Sequence, residues 1–188
     1  MNLIYRSVET PAEIHALAHM ADEIWHEYWP ALIGDEQTDY MVDRFQSPEA
    51  IERDIRENGY VYHSIEDEQG TLVGYTGGAI ERYASPSDEG ANTHGEAISR
   101  LFLKRFFISK IYLYEEQRGK HYASAIMEFW NDYARKNNLE GMYLTVNKGN
   151  DLGIRAYRGR GFDIIESIKA DIGDGFVMDD YIMARSVI

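Results

Sequence analysis

The chain contains no cysteine among its 188 residues. Disulfide bonds, thiolate metal ligands and a cysteine nucleophile are therefore excluded. No apolar run approaches the ~20 residues that a membrane-spanning helix needs. The opening stretch, MNLIYRSVETPAE, has no basic start followed by an apolar core, so we expect no signal peptide. These absences favour a cytoplasmic protein that does not enter a membrane.

Positive charge is also scarce. Lys and Arg number 19 against 32 Asp and Glu, which gives a net charge of −13. Such a surface disfavours nucleic acid, because neutralisation of phosphate drives much of that binding. It suits a cationic small molecule, although solubility alone explains it as well. With 44% hydrophobic residues and no internal repeat or linker, the chain is predicted to form one domain over residues 1–188.

Helix signals are clear in the first third of the chain. Thr10 is a good N-cap, Pro11 suits the first helical position, and Glu13 completes a capping box. Pro30 is expected to end that helix or to bend the chain. A second helix is predicted over 34–46 and a third, shorter one from Ser47-Pro48 to about residue 58. The second helix is expected to turn three large side chains inward, those of Tyr40, Met41 and Phe45.

Strands and helices alternate through the rest. The hydrophobic pattern predicts helices at about 119–137 and 150–160, and a long loop over residues 84–97. The stretch FFISKIYLY (106–114) is apolar on both faces, as expected of a buried central strand. The predicted strands are 3–8, 60–67, 71–83, 106–114, 141–146, 162–170 and 175–185. This alternation indicates an α/β domain with a mixed sheet.

The stretch RGKHYA (118–123) places Arg118, Lys120 and His121 at the expected start of a helix, where positive charges repel the helix dipole. Free backbone N–H groups at such a start bind anions, and Gly119 lets a ligand approach the backbone closely. Two interpretations remain open on these residues. The cations bind a diphosphate, or they belong to a solvated helix end and pair with the neighbouring glutamates 115 and 116.

Residues 106–162 resemble the GNAT family of acyl-CoA N-acyltransferases. In that family an Arg/Gln-x-x-Gly-x-Gly/Ala loop follows the fourth strand and holds the coenzyme A diphosphate. Arg118, Gly119, Lys120 and Ala123 match the common form of the loop, whereas His121 stands where the family usually has glycine. The preceding FISKIYL is similar to the family's pantetheine-binding strand.

A second motif strengthens the resemblance. The stretch VNKGNDLGIRAYRGRGF (146–162) is similar to the family's later motif, with Asn150, Tyr157 and Gly161-Phe162 in place. Gly153 stands where the family often has alanine. The loop alone is a weak signal, but the loop, the asparagine, the tyrosine and the Gly-Phe pair in order are a strong one.

The resemblance implies a GNAT fold, with a mixed, mostly antiparallel sheet of about six to seven strands and about four helices around it. It implies acetyl-CoA as co-substrate, no metal, and acetyl transfer to a primary amine of a small molecule or peptide. Tyr157 would be the general acid that protonates the leaving thiolate. The residues expected to hold the coenzyme are Ile111, Tyr112, Leu113, Arg118, Gly119, Lys120, His121, Tyr122, Ala123 and Asn150.

The acceptor amine must lose a proton before it attacks, and the sequence does not single out the base. Glu27 is our candidate, with His26, Glu81 and a water relay left open. His26 and Trp29, in the stretch IWHEYW, are expected to border the acceptor. No partner histidine stands at helical spacing from His26, so we expect no metal there.

The alternative function is a non-catalytic acyl-CoA-binding module, which His121 favours and Tyr157 disfavours. Many relatives in the family are dimers, so a homodimer is also open. No motif in the sequence identifies the acceptor amine.

Overall fold

The computed structural model describes residues 2–85, 87–88 and 96–188. Within them the chain forms seven strands, seven α-helices and one 3-10 turn, Glu115–Gln117. The strands are β1 (Ile4–Ser7), β2 (Tyr60–Glu66), β3 (Leu72–Arg82), β4 (Lys104–Leu113), β5 (Gly141–Asn147), β6 (Asp163–Gly173) and β7 (Phe176–Ser186). The helices are α1 (Pro11–Tyr28), α2 (Pro30–Ile33), α3 (Asp35–Gln46), α4 (Pro48–Arg56), α5 (Glu96–Leu101), α6 (Tyr122–Lys136) and α7 (Asp151–Arg158).

The strands form one sheet in the order β1-β2-β3-β4-β5-β7-β6. Strands β1, β2 and β3 pair antiparallel, as do β5, β7 and β6. Strands β4 and β5 pair in parallel from Arg105↔Gly141 to Phe107↔Tyr143, although β4 continues to Leu113. The predicted fold class, a mixed and mostly antiparallel sheet flanked by helices, is confirmed.

The chain divides into two compact units. The first contains Met1–Ala79 and Lys110–Ile126, and the second contains Ile80–Ser109 and Met127–Ile188. Strands β3 and β4 and helix α6 each begin in one unit and end in the other.

In the first unit, α1 forms as its sequence signals predict. Thr10 Oγ1 accepts the Glu13 N–H at 3.3 Å, while Glu13 Oε2 accepts the Thr10 N–H at 2.9 Å, so the capping box is complete. The helix ends at Tyr28, and Pro30 opens the one-turn helix α2. The apolar face of α1 is buried with side chains from α4, β2 and β3; the members are Val8, Ile14, Leu17, Ala18, Met20, Ala21, Ile24, Ile51, Tyr62 and Tyr75.

The second unit has an aromatic core with a charged pair inside it. Trp130 of α6 is fully buried and lies 4.5 Å from Phe106, measured between ring centroids. The side chain of Arg105 is also fully buried, and its Nε donates to Glu81 Oε2 at 2.6 Å. Glu81 Oε1 accepts the Tyr143 hydroxyl at 2.8 Å. This buried cation is thus matched by a carboxylate that has both oxygens occupied.

Three local expectations need correction. Tyr40, Met41 and Phe45 are only half-buried, and the buried side chains of α3 are Thr38 and Gln46. Helix α5 was not predicted; it overlaps the end of the expected 84–97 loop, most of which lies outside the described residues. The helices outnumber the expected four mainly because α2 and α5 span only 4 and 6 residues.

No helix in the described part of the chain combines the length and apolarity that crossing a membrane requires.

Candidate active site

The cationic stretch lies just before helix α6, not in its first turn. Helix α6 begins at Tyr122, and the His121 carbonyl accepts the N–H groups of Ser124 and Ala125 at 3.1 and 3.3 Å. His121 has a φ of +63° and Gly119 a φ of +76°, both in the left-handed region. A residue with this φ cannot continue a right-handed helix, which is why the predicted start at residue 119 is wrong.

Residues 119–123 present a run of open backbone donors. In the described ranges of the chain, no hydrogen bond is made by the N–H groups of these five residues. A Cβ placed on Gly119 would meet nothing within 4 Å, so the backbone there is approachable. N–H groups that converge at a helix start bind anions. We call residues 119–123 the amide loop.

The flanking cations are held by groups other than the glutamates that the sequence suggested. Arg118 Nε donates to the Leu113 carbonyl at 3.2 Å, and its guanidinium lies 4.7 Å from the centroid of the Tyr28 ring. Lys120 is exposed, and its Nζ donates to Gln117 Oε1 at 2.9 Å. None of these contacts involves the carboxylates of residues 115 and 116.

Side chains at the end of α1 contact the segment that leads into the amide loop. Glu23 Oε2 accepts the Tyr114 hydroxyl at 2.7 Å, and Glu27 Oε2 accepts the Glu115 N–H at 2.9 Å. Arg118 Nη2 lies 3.8 Å from the same Glu27 oxygen. Burial is the main cause that raises the pKa of Tyr114, and the Glu23 carboxylate adds to it. We call these contacts of Glu23, Glu27 and Tyr28 the α1 clasp.

The last residues of β4 are half-buried and packed against β3 and α1. The Tyr112 ring stacks on Tyr75 at 5.2 Å and lies 5.3 Å from Trp25. A Cβ on Gly74 of β3 would lie 2.1 Å from the Tyr112 carbonyl oxygen, so only glycine fits there. Tyr112, one of the three predicted pantetheine-binding residues with Ile111 and Leu113, is thus packed against neighbours on β3 and α1.

The predicted acceptor residues lie at the end of α1. His26 Nε2 is 2.9 Å from Asp39 Oδ1, and its Nδ1 is 2.8 Å from the Asp22 carbonyl oxygen. Both contacts raise the pKa of His26, the Asp39 bond most, so the ring favours its protonated form. The Trp29 ring is half-buried and lies 5.3 Å from both Trp25 and Tyr28.

The remaining predicted residues belong to the second unit. Asn150 caps α7, where its Oδ1 accepts the Gly153 N–H at 2.8 Å. A Cβ on residue 153 would come within 2.9 Å of Asn150 Nδ2, which explains why glycine serves there. Tyr157 is half-buried, and its ring lies 6.2 Å from that of Phe162.

The first unit therefore brings together the end of α1, the end of β4 and the amide loop, while Glu81, Asn150 and Tyr157 lie in the second. Sequence reasoning missed Glu23, Tyr28 and Tyr114. One signal was available, because Glu23 and Glu27 are four residues apart and so share a helix face. Among the described residues, no group of three or more acidic or histidine side chains is arranged to hold a metal ion.

Comparisons with known proteins identify the family of this chain. The family model described as the acetyltransferase (GNAT) family matches residues 19–162. The comparison with curated proteins gives no significant match.

Solved structures share the fold at low sequence identity. The PaiA N-acetyltransferase from Thermoplasma acidophilum in complex with coenzyme A has a TM-score of 0.68, 16% identity and coverage of 99% of both chains. Arabidopsis thaliana NAA60 with a bisubstrate analogue has a TM-score of 0.68, 16% identity and coverage of 98% of both chains. A phosphinothricin acetyltransferase from Sinorhizobium meliloti in complex with AcCoA has a TM-score of 0.62 and 20% identity, covering 100% of this chain and 89% of that one.

Proposed function

Since the chain belongs to the GNAT acetyltransferase family, we propose that it transfers an acetyl group from acetyl-CoA to a primary amine of a small molecule or a peptide. The observation that carries the proposal is the amide loop, whose five N–H groups make no hydrogen bond in the described residues and lie next to Arg118 and Lys120. Charge-assisted hydrogen bonds from such donors match the oxygens of a diphosphate.

The fit of a diphosphate depends on the backbone at His121. In place of the family's usual glycine, His121 adopts the left-handed conformation that glycine favours, with a φ of +63°. The backbone path of the loop is thereby preserved, and the exposed imidazole lies outside the protein core. Residues 118–123 are thus our proposed diphosphate site, with Asn150 as a further coenzyme contact.

The proposed site of the pantetheine arm is the part of β4 that continues beyond its ladder with β5. The ladder between β4 and β5 ends at Phe107↔Tyr143, and β4 runs on to Leu113. An extended ligand with amide groups can add to such an edge as a strand would. We place that arm along Ile111, Tyr112 and Leu113, where a backbone N–H would also stabilise the oxyanion of the thioester.

Tyr157 is the proposed general acid. When bound, acetyl-CoA supplies the activated acyl group and a thiolate leaving group that needs a proton. A phenol with an ordinary pKa near ~10 is a suitable donor to a poorly solvated thiolate.

Most of the candidate bases already have hydrogen-bond partners. Both ring nitrogens of His26 and both carboxylate oxygens of Glu81 already have partners. Glu27, the candidate that the sequence suggested, accepts the Glu115 N–H with one of its oxygens. We therefore favour a water molecule as the immediate proton acceptor.

We propose a cationic amine as the acceptor. A net charge of −13 attracts cationic amines, and a structural neighbour from Vibrio cholerae is a spermidine/spermine N-acetyltransferase, at 18% identity and a TM-score of 0.59. A polyamine is accordingly the first acceptor to try, with amino acids and peptide N-termini next.

Two measurements test the proposal. Calorimetry should detect coenzyme A binding, and a thiol-release assay with acetyl-CoA and a panel of amines should detect transfer. Binding without release for any amine would favour the non-catalytic module instead. Absence of binding would refute both.

A further inference from the structure

We propose that Glu27 is a positioning residue: through the Glu115 N–H it fixes the 3-10 turn that sets the amide loop, and it does not act as the base. The inference rests on the proposed function, because it assigns the amide loop to coenzyme binding. It concerns the α1 clasp, which no motif in the sequence identifies.

The turn Glu115–Gln117 lacks a cap of its own. A 3-10 turn leaves its first N–H without a partner inside the turn, and the preceding residue, Tyr114, supplies no side-chain acceptor. Glu27, 88 positions earlier in the chain, fills that place at 2.9 Å. The carboxylate is negative and sits at the N-terminal end of the turn, which is the favourable end for it.

Neighbouring contacts hold the same segment at both sides of this bond. The Tyr114 hydroxyl donates to Glu23 at 2.7 Å, one helical turn before Glu27. Arg118 lies against the Tyr28 ring and within 3.8 Å of the Glu27 carboxylate. Three residues in the last turns of α1 thus contact residues 114, 115 and 118, and the amide loop begins at residue 119.

These contacts disfavour a catalytic base. A base needs an oxygen directed at the acceptor, whereas the Glu27 Oε2 atom is directed at a backbone N–H and a guanidinium. The contacts from α1 instead set the position of the five N–H groups of the amide loop. A loop that is fixed before the ligand arrives loses less entropy on binding.

Two variants separate the roles. Glu27→Ala removes the acceptor, and we expect the Kd for coenzyme A to rise roughly threefold to tenfold, the effect of losing one hydrogen bond that orders the site. Glu27→Gln keeps an acceptor oxygen but cannot take up a proton, so it should restore the Kd to within about twofold. Glu36→Ala, an exposed acidic position in the first turn of α3, controls for the change in charge.

Amide hydrogen exchange gives a readout that is independent of the ligand. The Glu115 N–H should exchange faster in Glu27→Ala than in the unsubstituted chain, and Glu27→Gln should slow it again. If Glu27→Ala does not fold, Glu27→Asp, whose shorter side chain withdraws the oxygen, replaces it in both measurements.

Two results would overturn the inference. One is an unchanged Kd and unchanged Glu115 exchange in Glu27→Ala. The other is a Glu27→Gln variant with intact coenzyme binding but a turnover lowered about a hundredfold and the corresponding limb of its pH profile lost, which is the signature of a base. If the unsubstituted chain does not bind coenzyme A, the proposed function fails, and the exchange of the Glu115 amide alone decides whether Glu27 fixes the turn.

Discussion

Replacement of Glu81 by glutamine should destabilise the second unit strongly, because it removes the negative charge that pairs with the buried Arg105 guanidinium. The Arg105 side chain is 0% exposed and that of Glu81 14%, with 2.6 Å between Nε and Oε2. Removal of one partner from a buried pair costs about 3–5 kcal/mol. Glutamine keeps one acceptor oxygen for Arg105, and its NH2 group can donate to the Tyr143 hydroxyl, so we expect a cost near the lower limit, about 3 kcal/mol.

Urea unfolding followed by circular dichroism measures this cost directly, and Tm should fall by about 6–12 °C for a chain of this size. Glu96→Gln is the matched control. Glu96 pairs with Arg100 at 3.0 Å on α5, but the two side chains are 71% and 73% exposed. Exposed pairs contribute less than about 0.5 kcal/mol. If Glu81→Gln proved as mild as Glu96→Gln, the argument from burial would be wrong.

Four further outcomes are expected. Arg118→Glu should raise the Kd for coenzyme A by about tenfold or more, since it replaces attraction to phosphate by repulsion; calorimetry that finds equal affinity would remove Arg118 from the diphosphate site. Tyr157→Phe should lower turnover by about a hundredfold with little change in coenzyme affinity, and equal rates would exclude the general acid. His26 should stabilise the fold below its unfolded pKa of about 6.5 and lose that contribution as the pH rises through the raised pKa of the folded state. The free energy of unfolding of His26→Gln in urea should therefore depend less on pH than that of the unsubstituted chain. Parallel curves for the two proteins would contradict the Asp39 bond. Finally, kcat/KM for a polyamine acceptor should fall as salt is added, and a flat profile would argue against steering by the acidic surface.

Local patterns predicted what depends on local chemistry. Thr10, Pro11 and Glu13 specify the start of α1 through contacts within four residues, and the structure forms that capping box. The apolar run of β4 likewise predicted a buried strand. Element types followed from the sequence because hydrophobic period and caps act over a few residues.

Other features depend on distant contacts or on backbone geometry that residue type does not reveal. Histidine rarely marks a left-handed position, so the start of α6 was placed three residues too early. Gln46 of α3 is buried, and its Oε1 accepts the Tyr75 hydroxyl, a contact across 29 positions that the apolar pattern of Tyr40, Met41 and Phe45 does not reveal. The bond from Glu115 to Glu27 spans 88 positions and has no local signature.

The family's loop and asparagine–tyrosine motifs predicted which residues to examine, and the assignment of those residues to chemical steps stays a prediction. The side chains of the α1 clasp carry no such motif. Their contacts depend on the end of α1 and the segment after β4, which are far apart in the chain and lie together in the first unit.

The close approach at Gly74 has a consequence for anyone who redesigns this protein. A methyl group at that position would overlap the Tyr112 carbonyl, which lies 2.1 Å from where the new carbon would stand. Relief of the overlap would displace the strand edge along which we propose that the cofactor's arm lies. Mutant libraries confined to residues that line the pocket would not sample this position. A design that keeps glycine at residue 74 keeps the strand edge in register.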